Sequence, residues 1–268
     1  MVLQDKLNRL QCVISAYKSV VVAFSGGQDS AFLLKICALT LSANKILAVT
    51  AVSDTYPAGE LVKAKILAKH IGVRLKIIRT GELNNKKFTA NSIARCYFCK
   101  KELFSKLIDL AKQNKLDFVL EASSLSDKSD YRPGNIAKQE LKIKSPLIQA
   151  GFNKEDIRRL SKKLGLSSWN KPSLACLASR IPYGIKITAS LLKRIDQAEA
   201  YLNKLGFRQV RLRHHHNLCR IEVDKSDIRR LLGHRHLIVK RLKYLGYDYI
   251  TVDLEGYRTG SLNEVINK

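Results

Sequence analysis

Short β-branched runs alternate with longer amphipathic stretches through the first part of the chain. Val20-Val-Val-Ala-Phe24, Lys45-Ile-Leu-Ala-Val-Thr-Ala-Val52, Arg74-Leu-Lys-Ile-Ile78 and Asp117-Phe-Val-Leu-Glu121 are apolar and brief, as strands buried in a parallel sheet are. Between and before them, Leu3 to Tyr17, the run from Ala31, Ala58 to Ile71 and Cys99 to Gln113 predict helices. Strand alternating with helix predicts an α/β, doubly wound parallel sheet, with ligands outside the carboxyl ends of the strands. Ser25 to Ser30, Ser53 to Pro57 and Ala122 to Pro133 fall at those ends and are expected to converge on one site.

The pattern then changes. Asn153 to Leu164 predicts an amphipathic helix with Asn153 as its N-cap. A loop from Ser167 to Tyr183, holding Pro172 and Pro182, closes the first domain, placed at residues 1–183. Beyond it a helix (Ala189 to Leu205), a strand (Gln209 to Arg213), a His-rich turn and a second strand (Cys219 to Val223) follow. A basic helix (Ser226 to Leu245) and a strand (Tyr249 to Asp253) complete a smaller α+β domain, 184–268, of a size able to fold alone.

Composition narrows the class. A length of 268 residues with 46% hydrophobic positions describes a globular chain with ample core. No apolar run reaches membrane-spanning length, and Met1-Val-Leu-Gln-Asp-Lys6 lacks the order of a signal peptide, so a cytoplasmic location is expected. Six cysteines in a reducing compartment point to metal or thiol chemistry for those that cluster, rather than to disulfides. The net charge of +25 attracts polyanions, so RNA is weighed as a partner; the lysines are scattered in pairs, which also suits a solvated surface or an ATP site.

The strand–glycine–helix sequence around Ser25-Gly26-Gly27-Gln28-Asp29-Ser30 aims backbone N–H groups and a helix N-terminus at one point, a geometry that binds phosphate. It is neither a Walker A loop nor a dinucleotide fingerprint. Ser25 and Ser30 can donate to phosphate, and Asp29 beside bound triphosphate is best used through Mg²⁺. Asp54 is a weaker candidate for nucleotide contact, and Glu60 reads as a solvated carboxylate. Cys96-Tyr-Phe-Cys99 puts two thiols on one side of a helix start, with Cys176 a third. Three thiols suit a [4Fe–4S] cluster with one open iron, whereas zinc needs a fourth ligand. Cys12, Cys37 and Cys219 read as core. Arg180, Arg211 and Arg213 are candidate anion binders, the last two on one face of a strand, and Glu199 and Glu222 are their partners or metal ligands. His214-His215-His216 reads as a hairpin turn.

Ser25-Gly-Gly-Gln-Asp-Ser30 resembles the pyrophosphate loop of the PP-loop ATP pyrophosphatases, which split ATP into AMP and pyrophosphate while adenylylating a substrate. Arg95-Cys-Tyr-Phe-Cys-Lys100, Asp130-Tyr-Arg-Pro-Gly134, Ser145-Pro-Leu147 and Lys171-Pro-Ser-Leu-Ala-Cys-Leu-Ala-Ser-Arg-Ile-Pro-Tyr-Gly184 extend the resemblance. With Gly206-Phe-Arg-Gln-Val-Arg-Leu-Arg-His-His215 and Asp253-Leu-Glu-Gly-Tyr-Arg-Thr-Gly-Ser261 it covers essentially the whole chain and is similar to one family within that group, the LarE sulfur transferases. The resemblance implies adenylylation of a carboxylate of pyridinium-3,5-biscarboxylic acid mononucleotide, then replacement of AMP by sulfur to leave a thiocarboxylate. It implies ATP and Mg²⁺, ATP contacts from Ser25, Gly26, Gly27, Asp29, Ser30 and Asp54, substrate-phosphate contacts from Ser179, Arg180, Arg211 and Arg213, and a homo-oligomer. Cys176 gives up its own sulfur in some members; where Cys96 and Cys99 are also present, the three bind a [4Fe–4S] cluster that carries a sulfide, and this version is expected here. Ala122-Ser123-Ser124 departs from the family's Gly-Thr-Asn-like turn, and Asn170 stands where an Asp commonly follows the Trp. A PP-loop tRNA thiolase and an ammonia-using PP-loop synthetase are the rival enzymes; the cysteines argue against the second, and no appended RNA-binding domain is evident for the first.

Overall fold

The structure, a computed structural model, describes residues 2–127, 133–172 and 175–262. Asp130, Tyr131, Arg132, Ser173 and Leu174, which carry parts of two of the motifs above, lie outside the described residues. In chain order the helices are α1 (Leu3–Ala16), α2 (Gln28–Thr40), α3 (Glu60–Ile71), α4 (Lys86–Thr89), α5 (Arg95–Gln113) and α6 (Gly134–Glu140). They continue with α7 (Pro146–Gln149), α8 (Lys154–Lys163), α9 (Ala189–Lys204), α10 (Ile228–Gly233) and α11 (Arg235–Tyr244). The strands are β1 (Val20–Ala23), β2 (Ile46–Val52), β3 (Leu75–Arg79), β4 (Phe118–Leu120), β5 (Val210–His215), β6 (Leu218–Val223) and β7 (Tyr249–Val252).

Contacts divide the chain into two compact units: Met1–Ser53, Ala58–Glu82 and Ala94–Leu174 form one, and Asp54–Pro57, Leu83–Ile93 and Ala175–Lys268 the other. In the first, four parallel strands lie in the order β3-β2-β1-β4, the α/β architecture expected from the alternating pattern. Alternation along β1 sends Val20 and Val22 into a core shared with α1, α2, α3 and α8, and Val21 into a second core against α5. Each valine is fully buried, worth roughly 1.5–3 kcal/mol relative to exposure. Because β2 and β4 flank β1 and the chain runs on from opposite sides of it, the end of β1 is a switch point, where such sheets bind ligands. Phe24 donates its N–H to Val49 O (2.8 Å) and receives the Thr50 hydroxyl on its carbonyl (2.6 Å), so the turn after β1 starts from a fixed base.

The second unit is a three-stranded sheet, β5-β6-β7, with β5 and β6 an antiparallel hairpin and β7 parallel to β6. Leu192, Ile195 and Leu202 of α9 are buried, as are Leu212 and Ile221 of the sheet. The two early segments are stitched into this unit by backbone bonds: Leu177 N–H to Thr55 O (2.9 Å), Gly184 N–H to Asn91 O (3.1 Å) and Ile187 N–H to Thr89 O (2.9 Å). Asn91, fully buried at φ +55°, also gives its side-chain amide to Pro182 O (2.7 Å) and Ile185 O (2.9 Å). Ala175 to Tyr183 therefore packs with the stretch that follows Gly184.

Several boundaries move. Helix α2 begins at Gln28 rather than Ala31, so half of the phosphate loop is already helix; α5 begins at Arg95, which takes both Cys96 and Cys99 into its first turns. The basic helix is broken into α10 and α11 after Gly233, a weak helix former, with His234 outside helical geometry and its Nδ1 2.9 Å from Arg230 O. Short α4, α6 and α7 carry too few residues for periodicity to disclose them. Cys12 is exposed on α1, not core; Cys37 and Cys219 are buried.

The histidine run is a hairpin, with His214 and His215 ending β5 and His216 in the turn at φ +56°. His214 is buried 5.9 Å from the Tyr247 ring, and its Nδ1 has no hydrogen-bond partner among the described residues. Burial, then Arg194 and the neighbouring histidines, push its pKa down to about 4 from 6.5. Between those values the unfolded chain binds the proton and the fold does not, so the contribution is intact above pH 6.5 and is lost as pH falls toward 4. Urea unfolding across that window should show a loss on the order of 1–3 kcal/mol that His214→Phe removes. A variant with the wild-type slope would clear His214 of that role.

Candidate active site

The phosphate loop is built by two constraints. Gly26 takes φ +71°, and a Cβ there would lie 2.9 Å from the Ala64 Cβ on α3, so only glycine lets the loop approach that helix. Ser25 and Ser30 hydroxyls meet at 3.1 Å across the loop, Ser30 also bonds Gly27 O (3.1 Å), and the Gly27 N–H reaches Ser25 Oγ (3.3 Å). Gly27 is the N-cap of α2 and makes no side-chain cap, which leaves the first turn of the helix, Gln28-Asp29-Ser30, facing the loop. Asp29 is half-buried in that turn. Ser25, Gly26, Gly27, Asp29 and Ser30 are thus brought together in one loop at the start of α2.

Glu60 corrects its sequence reading. It opens α3, is 8% exposed, and lies 2.5 Å from Lys171 Nζ and 2.8 Å from Lys63 Nζ. Burial works to raise its carboxyl, but hydrogen bonds and charge from Lys171 and Lys63 outweigh it and hold the pKa below the ordinary carboxylate value. Lys171 also donates to Gly26 O at 2.9 Å, and Gln28 Nε2 donates to Trp169 O at 2.8 Å, so the segment Trp169–Lys171 is bonded to the loop twice. At the end of β4, Glu121 accepts from Lys138 (3.0 Å), Ser123 (2.6 Å) and Ser145, which gives the divergent Ala122-Ser123-Ser124 turn a structural use.

Three of the six thiols are both accessible and in the motifs. Cys96 is exposed and Cys99 half-buried on the first turns of α5, with the Cys99 Sγ 3.8 Å from Glu82 Oε1. Cys176, in the second unit, is exposed and precedes a tight 3₁₀ turn, Leu177–Arg180. Burial pushes the Cys219 thiol up to about 12 and Cys37 higher still. Among the described residues no group of three or more His, Cys, Asp or Glu side chains could hold a metal ion.

Arg180, Arg211 and Arg213 are buried in the second unit. Arg180 grips Glu199 with Nε and Nη2, both at 2.9 Å, and gives Nη1 to Ala175 O (2.9 Å), Cys176 O (3.1 Å) and Ser179 Oγ (2.9 Å). Arg213 grips Glu222 in the same bidentate way (2.9 and 2.8 Å) and gives Nη1 to Ser179 O (2.8 Å) and Nη2 to Ser261 Oγ (2.7 Å). Glu199 and Glu222 are therefore ion-pair partners in this structure. Arg211 bonds Val210 O (2.7 Å) and stacks 5.3 Å from the Tyr257 ring centroid; burial, then the Arg180 charge, lower its pKa to about 10. Asp54 is exposed in the second unit, where it lines an open pocket of about 320 Å³ with Tyr56, Leu177, Ser190, Lys193 and Asp196. Sequence reasoning missed the buried Glu60–Lys171 pair, because a Glu at a helix start reads as solvent-facing and nothing local ties it to a lysine so distant in the chain.

The NAD synthase family matches residues 3–132, the span of the parallel sheet and phosphate loop. The chain is similar to an uncharacterised protein of Synechocystis sp., 39% identical over 99% of this chain and 100% of that protein. It is 35% identical to the pyridinium-3,5-bisthiocarboxylic acid mononucleotide synthase of Lactiplantibacillus plantarum, over 99% of this chain and 96% of the synthase. An uncharacterised protein of Methanocaldococcus jannaschii is 29% identical over 90% of this chain and 92% of its own length. With the phosphate loop built on the switch point of a parallel sheet and likeness to the synthase along nearly its whole length, the chain belongs to the LarE family of PP-loop ATP pyrophosphatases.

Proposed function

We propose that this protein is an ATP-dependent sulfur transferase that converts a carboxylate of pyridinium-3,5-biscarboxylic acid mononucleotide into a thiocarboxylate. The observation that carries the reading is an ATP-splitting loop on a chain that also presents an exposed cysteine, Cys176, on a turn pinned by two buried arginines. In the first half-reaction the substrate carboxylate oxygen attacks the α-phosphorus of ATP; the bond to the β-phosphate breaks and pyrophosphate leaves. Ser25, Ser30 and the loop N–H groups bind the phosphates, and the Asp29 carboxylate, a hard oxygen donor in the first turn of α2, suits Mg²⁺. The metal would supply charge neutralisation for the departing pyrophosphate.

In the second half-reaction Cys176, having lost its thiol proton, attacks the acyl carbon through Sγ, and AMP leaves with the electron pair of the broken acyl–oxygen bond. Removal of the Cys176 Cα proton then breaks the Cβ–Sγ bond, which releases the thiocarboxylate and leaves dehydroalanine. Ser179, Arg180, Arg211 and Arg213 are the proposed contacts for the substrate phosphate, since guanidinium forks suit an oxyanion. Arg180 and Arg213 also hold the Cys176 and Ser179 carbonyls.

A second reading of the sulfur source is favoured by Cys96 and Cys99. Both are reachable from solvent at a helix start, and soft thiolates are the ligands iron–sulfur clusters take. We propose that Cys96, Cys99 and Cys176, which are not gathered into a metal site among the described residues, would be the ligands of a [4Fe–4S] cluster, which when bound would supply a replaceable sulfide in place of the Cys176 sulfur.

Incubation with ATP, Mg²⁺ and the pyridinium dicarboxylate should give AMP, pyrophosphate and a thiocarboxylate by mass spectrometry. Cys176→Ala should abolish the thiocarboxylate while pyrophosphate release persists; pyrophosphate release that ignores the dicarboxylate would exclude this substrate. Anaerobic reconstitution with iron and sulfide should give a visible absorption band that Cys96→Ala removes. An unaltered spectrum in that variant would sink the cluster and leave Cys176 as the sulfur source.

A further inference from the structure

The loop Ser25-Gly-Gly-Gln-Asp-Ser30 contains no cation, and its one charged residue, Asp29, is an anion. The group it has to release is the multiply charged pyrophosphate, so positive charge must come from elsewhere in the fold. The side chain that the first unit places on this loop is Lys171. Its ammonium donates to the Gly26 carbonyl at 2.9 Å and lies 2.5 Å from Glu60, with 17% of the side chain still open to solvent. An ammonium has three N–H groups, and among the described residues only these two partners take them, so one N–H remains available at the loop.

The surroundings fix that position. Gly26 lies close against α3, where a Cβ would meet Ala64, one turn along from Glu60. The backbone leading to Lys171 is held by the Gln28 bond to Trp169 O (2.8 Å) and by the Lys171 N–H to Ser168 O (3.1 Å). Glu60 on its own would repel a phosphate, but Lys63 and Lys171 both pair with it, so the three side chains together carry net positive charge. The carboxylate serves as a seat for the ammonium.

We propose that Lys171 is the phosphate-binding lysine of this loop: Glu60 and the Gly26 carbonyl hold its ammonium at the loop, where it binds the terminal phosphates of ATP and then pyrophosphate. This assignment rests on the ATP-pyrophosphatase reading above and adds to it a residue whose place in sequence, far from the loop, conceals it. The role is that of a Walker A lysine, supplied from another part of the chain.

Isothermal titration of the full-length protein with Mg²⁺-pyrophosphate and, separately, with AMP tests the role. Lys171→Gln can still donate to the Gly26 carbonyl but carries no charge; it should bind pyrophosphate about tenfold or more weakly, with AMP unaffected. Lys171→Arg, which keeps the charge, should stay within a few-fold of wild type. Wild-type pyrophosphate affinity in the Gln variant, or equal loss of both ligands, would overturn the proposal by reducing Lys171 to a structural bond. A wild-type protein that binds neither ligand would instead bring down the nucleotide reading, and this role with it.

Discussion

The close approach of Gly26 to Ala64 is the contact on which the Ser25–Ser30 loop depends. A left-handed residue with its α-carbon against a helix can only be glycine, and that packing joins β1, α2 and α3 in one rigid corner. From it follow the seating of Ser25 against Ser30, the uncapped start of α2 and the placement of Glu60 at the head of α3. Any residue with a Cβ at position 26 would have to push α3 away, and Glu60 and Lys171 would leave the loop with it. The shape of the Ser25–Ser30 loop thus depends on a steric constraint against α3 and not on its polar side chains alone.

The second unit works under a different constraint, the cost of burying charge. Arg180, Arg213, Glu199 and Glu222 are each nine-tenths or more buried, and such ions persist only when paired with good geometry. Each guanidinium satisfies its fork with a carboxylate and spends its remaining N–H groups on backbone carbonyls around Cys176 and Ser179. The segment Ala175–Ser179 is pinned in this way: the Ala175, Cys176 and Ser179 carbonyls accept from the two buried arginines. Removing one partner leaves an uncompensated charge, a change that typically costs about 3–5 kcal/mol. The Cys176 backbone on that segment is held by the Arg180 bond to its carbonyl.

The parallel sheet, the loop and the hairpin of histidines were legible because each is written locally: β-branched runs, paired glycines, and a polar break between two alternating strands. Periodicity located α1, α3, α8 and α9 within a few residues. What escaped has long-range causes. Short α4 is set by the Asn85 side chain accepting the Lys87 N–H, and the residues around it are tied into the second unit by Asn91, a buried amide that no local pattern announces. Glu60 looked solvated because the lysine that neutralises it is brought by folding. The pairing of Arg180 with Glu199 and Arg213 with Glu222 was allowed by residue type, but only register and helix packing decide that the carboxylates take the arginine forks.

Burial also sorts the six thiols more sharply than spacing does. A sulfur that is to attack carbon or hold iron must be able to shed its proton and be reached, and burial opposes both. Cys37 and Cys219 are sealed in apolar cores, with the Cys219 thiol pushed up to about 12, so neither can serve. Cys12 is accessible on α1, yet it belongs to no motif that pairs it with another thiol. Cys96 and Cys99 share the start of one helix, and Cys176 precedes a turn, with its own carbonyl held by Arg180. Burial sets aside Cys37 and Cys219, whereas only the motifs separate Cys96, Cys99 and Cys176 from the exposed Cys12.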